Sequence, residues 1–231
     1  MPEPSIRGAR AMAEPAITAL VAVFNGEAFV GEALQSIRSQ TRPPDRIVVV
    51  DDGSTDGTAA VVRGVPGVRY LHQANGGQAS ALNLGLRHVE GGFLCFLDAD
   101  DLWPPDKLDL QLRAFEHDPA LDMVFGQAEQ FRQDDGSTDA PQPARVHGAM
   151  LIRTASFARV GELDTSYRIG TLLDWYARAR ELGLRERVLD EVVLRRRVHG
   201  DNTGVIHGGD RSAYLKIVKA ALDRRRNRQD D

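Results

Sequence analysis

An apolar run, Phe93-Leu94-Cys95-Phe96-Leu97, ends in Asp98-Ala99-Asp100-Asp101, three carboxylates within four positions. Like charges this close repel and raise one another's proton affinity unless something offsets them. A hard divalent cation does so: Mg²⁺ and Mn²⁺ favour oxygen ligands, and Mg²⁺ needs only one or two carboxylates, leaving other positions to water and substrate phosphates. The spacing therefore points to a metal–diphosphate site at the tip of a buried strand. The duller use of the same acids is to cap the helix expected after Pro104-Pro105. A second acidic turn, Asp51-Asp52-Gly53-Ser54-Thr55-Asp56, carries the same ambiguity, because Asp-Gly-Ser-Thr-Asp is also favourable turn chemistry.

The elements that must position these acids are legible from periodicity. Ile17–Phe24 reads as a buried strand ending in the turn Asn25-Gly26, and Glu27–Gln40 as a helix with Phe29, Val30, Ala33, Leu34 and Ile37 on one face. Arg46–Val50 is a second strand, Gly57–Arg63 a helix, and Val68–His72 a third strand. Gly76-Gly77 opens a helix through Val89, Phe93–Leu97 is the acidic strand, and a helix runs from Pro104 to about His117. Short turns between alternating strands and helices predict an α/β fold with a mostly parallel sheet. Ligands of such sheets bind beyond the carboxyl ends of the strands, where Asn25, Asp51, Asp52, Asp98 and Asp100 all fall. After Leu121 the rhythm changes. Met123–Phe131 reads as a strand, Arg132–Ala144 as a polar loop, then come a short apolar segment at Ala149–Arg153, a helix at Leu172–Leu182, strands at Glu186–Leu189 and Val192–Arg196, and a helix near Arg211–Arg225. The expected division is a tail at 1–15, a first subdomain at 16–133, and a smaller α+β portion at 134–231.

Composition narrows the class. Of 231 residues, 42% are hydrophobic and 27% charged, as in ordinary globular proteins, and the net charge of −4 argues against a general nucleic-acid surface. The single cysteine, Cys95, excludes an internal disulfide framework and fits a reducing compartment. Residues 1–15 lack the apolar centre of a leader, and the apolar run from Ala16 to Phe24 is far below the ~20 residues a spanning helix needs. The expected address is cytoplasmic, with no transmembrane segment; the oligomeric state is not legible.

Taken together these segments resemble the family 2 glycosyltransferases, inverting nucleotide-sugar-dependent enzymes of the GT-A fold, a Rossmann-like sheet flanked by helices. The matching pieces are Val21 to Gly26, Ser36 to Gln40, Ile47 to Asp56, Gly76 to Asn83 and Phe96 to Asp101. The likeness is close over 16–133 and looser over 145–205. It implies that Phe24, standing where a tyrosine is common, stacks near the base, beside Asn25. Asp52 would accept from the base ring N–H, Asp98 would lie at the ribose and metal, and Asp100 would bind Mn²⁺ or Mg²⁺. Gly76 and Gly77 would permit close backbone approach ahead of Asn83. Asp101 would orient the loop.

Inverting transfer needs a base for the acceptor hydroxyl. The resemblance points to Asp174 in Leu172-Leu173-Asp174-Trp175, although the Glu-Asp pair many relatives carry just upstream is here Thr171-Leu172. The rival use of Asp174 is an i,i+4 pair with Arg178; Glu162 and Asp164 are the alternative bases. The stretch Arg195-Arg196-Arg197-Val198-His199 through Gly204 resembles the family's late loop over the diphosphate. In that loop His199 would contact metal or phosphate, and strand alternation, which puts Arg195 and Arg197 on one face with Arg196 pointing away, favours Arg197 beside it as the phosphate partner. The expected partners are a nucleotide-sugar donor, of UDP type by preference, and a glycan, lipid-linked, peptide or small-molecule acceptor. A nucleotidyltransferase is the rival enzyme, but the first turn, Asn25-Gly26-Glu27, lacks the Gly-rich basic loop expected of that class, and no G-x-G-x-x-G follows any strand. A non-catalytic nucleotide-sugar-binding protein is the rival outside enzymes.

Overall fold

The computed structural model describes residues 15–167, 170–200 and 211–227. The expected tail and the loop from Asp201 to Gly204 lie outside them. The order is β1 (Ile17–Val23), α1 (Val30–Arg38), β2 (Arg46–Asp51), α2 (Thr58–Arg63), β3 (Val68–His72), α3 (Gln78–Leu86), β4 (Phe93–Asp98), α4 (Lys107–His117) and β5 (Met123–Arg132). Then follow β6 (Gln142–Ala144), a 3₁₀ turn at His147–Ala149, β7 (Leu151–Arg153), α5 (Thr154–Val160), α6 (Thr171–Glu181), β8 (Glu186–Val198) and α7 (Arg211–Asn227).

Among the described residues the strands form one sheet in the order β3-β2-β1-β4-β7-β5-β6, with β8 also on β5. β1 to β4 are parallel, β7 runs against β4 and β5, and β8 is parallel to β5. Strand alternation sorts the core into two faces. Ile17, Ala19, Val21, Ile47, Val49, Phe93, Cys95 and Leu97 pack with Leu34 and Ile37 of α1, Val62 of α2 and Leu108 and Phe115 of α4. Leu20, Val48, Val50, Leu94 and Phe96 pack with Ala81 of α3, Phe157 of α5 and Trp175 of α6. Burial on both faces is why β1, β2 and β4 read as unbroken apolar runs. Because β2 and β3 lie on one side of β1 and β4 on the other, the chain reverses its direction of travel between β1 and β4, the point at which open α/β sheets bind ligands.

Three expectations are corrected. The two late strands are one 13-residue strand with its pairing to β5 shifted between Phe125 and Ala128, and Asp190-Glu191 is the irregularity that looked like a break. Gly126 makes this possible, since a Cβ there would lie 2.7 Å from Val193 Cγ1 and 2.9 Å from the Glu191 carbonyl. The 132–144 loop contains β6, and residues 154–160 form a helix too short to show periodicity. Among the described residues no helix is long and apolar enough to cross a membrane.

Candidate active site

The turn after β1 meets the turn after β2. Asn25, held at φ 49°, donates its N–H to Ser54 Oγ (2.9 Å) and accepts the Thr55 N–H on Oδ1 (2.8 Å). Phe24 beside it is 53% exposed, as a stacking surface requires. Asp51 is buried and accepts from Tyr70 Oη at 2.6 Å and from the Ser54 N–H at 2.8 Å. Burial pushes its carboxyl up, but those bonds carry it below the ordinary value.

Asp52 is also buried, and its carboxylate turns onto the loop that opens α3. Oδ1 accepts from Gln73 Nε2 (2.7 Å) and the Gly76 N–H (2.8 Å), and Oδ2 from the Gly77 N–H (2.8 Å). Gly77 needs to be glycine for its φ of +87°, and nothing lies within 4 Å of where its Cβ would stand. The structure thus brings Asp52 to the expected edge and gives it a shaping duty that spacing alone did not reveal.

The tip of β4 is the densest part. Asp98 Oδ1 is held by two donors at 2.7 Å, Gln78 Nε2 from the first turn of α3 and His147 Nε2 from the 3₁₀ turn. Asp100 Oδ2 lies 3.1 Å from His199 Nε2, whose ring packs on Phe29 at 4.6 Å, tilted by 33°. Asp101 is buried and accepts the Arg197 N–H at 2.9 Å. Environment drives the three acids apart. Burial raises Asp98, but the His147 charge and hydrogen bond, with Arg196 and Gln78, bring it below the usual range. Burial and the Asp98 charge raise Asp100 against the pull of His199, and burial with both neighbouring acids raises Asp101 well above it. Burial lowers the His147 imidazole, yet the Asp98 carboxylate raises it further. A divalent cation at this tip would favour the ionised acids.

Asp100 and His199 fit such an ion, one oxygen and one nitrogen donor on adjoining groups. Among the described residues no set of three or more His, Cys, Asp or Glu side chains is spaced to hold one alone. Water and phosphate oxygens would complete the shell, as Mg²⁺-type sites prefer.

The structure keeps the alternation, with Arg195 and Arg197 both over Phe131, but turns Arg197 inward. Arg197 is 5% exposed and fully engaged: Nε donates to the Asp100 carbonyl (2.9 Å), Nη2 to Glu32 (2.6 Å), and the guanidinium lies between the rings of Phe29 and Phe131. It ties β8 to α1 and to the acidic loop. Arg195 pairs with Glu129. Arg196 keeps 49% of its side-chain surface exposed, with Nε 4.0 Å from Asp101 Oδ2, so it is the arginine beside the acids that remains open to a phosphate.

Two further residues stand elsewhere than expected. Asn83 is buried and spends both ends of its amide on Leu163, donating to its carbonyl (2.8 Å) and accepting its N–H (3.0 Å); it fastens the 161–167 loop to α3 and does not face the edge. Asp174 is 2% exposed, with Oδ2 2.9 Å from Arg178 Nε and Oδ1 3.2 Å from Arg224 Nη1. The i,i+4 pair is therefore real but buried, and no contact joins Asp174 to the acids at the strand tips. Sequence reasoning missed His147 altogether and named Gln78 only as part of a motif; a polar residue just before a short apolar strand carries no signal of what it will face. Hollows of about 230 and 210 Å³, lined by Arg46 and Glu90 and by Phe93 and Arg153 among others, open at the opposite edge of the sheet and touch none of these groups.

Comparison with known proteins bears on this edge. The family model described as Glycosyl transferase family 2 matches residues 18–171. An uncharacterized glycosyltransferase of Rickettsia felis is 35% identical over 103 residues, 43% of this chain and 17% of that protein, so the chain spans a small part of that relative. S. aureus TarS in complex with UDP superposes with a TM-score of 0.67 at 23% identity, over 80% of this chain and 61% of that one. The mannosyltransferase PcManGT from Pyrobaculum calidifontis, in complex with GDP-Man and Mn²⁺, gives 0.72 at 22% identity, over 90% and 64%. At these identities the structures share the fold.

Proposed function

The chain belongs to glycosyltransferase family 2, and from that premise we propose that it moves a sugar, with inversion, from a nucleoside-diphosphate sugar to an acceptor hydroxyl. The observation that carries this is the convergence of Asn25, Asp52, Asp98 and Asp100 on one carboxyl edge, beside the β1/β4 reversal. Phe24 offers a face to the base, Asp98 meets the ribose, and Gly77 leaves room at the diphosphate. Asp100 and His199 would hold Mn²⁺ or Mg²⁺, which when bound neutralises charge on the diphosphate leaving group. Arg196 adds a guanidinium for the same charge. TarS with UDP and PcManGT with GDP-Man and Mn²⁺ support a donor of this class.

A carboxylate this buried, with an arginine on each oxygen, is held away from an incoming hydroxyl, so we assign Asp174 to holding α6. The base then falls to Glu162 or Asp164, both exposed and flanking the Leu163 that Asn83 pins. The test is a screen of UDP- and GDP-sugars with Mn²⁺ and glycan, lipid and peptide acceptors, read as released nucleoside diphosphate. Release with one donor and one acceptor class supports the reading. Mn²⁺-dependent donor binding without transfer or hydrolysis would instead favour a nucleotide-sugar-binding protein.

A further inference from the structure

Three buried polar groups in and before α4 have no part in the chemistry above. Trp103 is 3% exposed, and Lys107 and Gln111 are fully buried. Burying such groups is costly unless each finds a partner, and here their partners converge on one short segment. Trp103 Nε1 donates to the Gly148 carbonyl (3.0 Å), Gln111 Nε2 to the Ala149 carbonyl (2.8 Å), and Lys107 Nζ approaches the Met150 carbonyl (3.4 Å) while bonding Gln111 Oε1 (2.6 Å). Three consecutive carbonyls are thus held by α4 and the turn before it, immediately after His147. The His147 ring also stands edge-on to Phe96 at 6.3 Å.

His147 then meets Asp98. Its Nε2 and Gln78 Nε2 each lie 2.7 Å from the same oxygen, Oδ1. Among the described residues no hydrogen-bond donor reaches Oδ2, and Asp98 retains 30% of its side-chain surface. Two donors on one oxygen fix the carboxylate's rotation and leave the other oxygen to face outward. We propose that His147, seconded by Gln78 and anchored through Trp103, Lys107 and Gln111, is a positioning residue that presents Asp98 Oδ2 to the nucleotide-sugar donor. The proposal rests on the donor reading and deepens it. His147 touches no reacting atom; it acts through Asp98.

The test measures dissociation constants for UDP-GlcNAc and GDP-Man with Mn²⁺ by calorimetry, together with thermal midpoints. His147→Phe keeps an aromatic ring and removes the donor, and binding should weaken about tenfold, the usual scale for a hydrogen bond to a charged group. His147→Gln places an amide N–H where Nε2 stands and should restore affinity to within about threefold, whatever happens to the midpoint. Gln78→Ala, at an exposed site, should weaken binding about threefold with the midpoint unchanged. In an Asp98→Ala background, His147→Phe should add nothing further, because the two act as one unit. His147→Phe at wild-type affinity, or His147→Gln as weak as His147→Phe at equal stability, overturns the positioning role and leaves the donor reading standing. A wild-type chain that binds neither donor overturns the donor reading and this proposal with it.

Discussion

Asp174→Asn separates two uses of one carboxylate. The acid is 3% exposed at its side chain and bonds Arg178 and Arg224, which keep 22% and 31% of theirs. Breaking a buried ion pair by removing one partner costs about 3–5 kcal/mol. Here the stranded cations keep other acceptors: Arg178 retains the Val160 and Glu162 carbonyls at 2.8 Å, and Arg224 retains Glu181 at 3.1 Å. The neutral amide also keeps one oxygen for one of them. We therefore expect a loss below that range, about 2–3 kcal/mol, which for a chain of this size lowers the melting temperature by roughly 5–10 °C. Scanning calorimetry or urea unfolding reads the loss. Turnover measured well below the transition should fall by less than about threefold, because the general-base contribution of about 10²–10⁴ is not at stake. An unshifted melting temperature with transfer down a hundredfold would refute this reasoning and return Asp174 to the role of base.

Asp100→Ala should abolish the Mn²⁺-dependent part of donor affinity in calorimetry with and without the ion; an unchanged dependence would move the metal elsewhere. Arg196→Ala should weaken donor binding about tenfold at constant melting temperature, whereas Arg197→Ala should cost about 2–3 kcal/mol of stability, having lost its ion pair and two ring faces. The reverse pattern would restore the assignment that strand alternation suggested. Burial lowers Lys107 to about 8, from 10.5. Between pH 8 and 9 the unfolded lysine therefore binds more protons than the folded one, and its contribution to stability should rise with pH by about 1 kcal/mol. Burial raises the Cys95 thiol to about 12, so from about pH 8.5 upward the unfolded thiol loses its proton first and works against that gain. Urea unfolding of wild type and Lys107→Met across this window checks it, the wild type gaining about 1 kcal/mol relative to the variant from pH 8 to 9.

The sheet and the edge that carries the acids were legible in the order of residues alone. Strands buried on both faces leave unbroken apolar runs, and the turns that end them, Asn25-Gly26, Asp51-Asp52-Gly53 and Asp98-Ala99-Asp100, are set by neighbours in the chain. Asn25, Asp52, Asp98 and Asp100 were legible for that reason. What each side chain spends itself on came from contacts made across the fold. Asp52 and Gly77 meet across 25 positions, Asp98 and His147 across 49, and Arg197 and Glu32 across 165. Nothing in local periodicity encodes a partner that far away. Asn83 and Asp174 look like site residues until Leu163 and Arg224 are brought against them, and Arg197 looks open until Glu32, Phe29 and Phe131 close around its guanidinium. Local chemistry chose the edge of the sheet, while long-range packing, through the choice of hydrogen-bond partners, chose which of its residues remain open to a ligand.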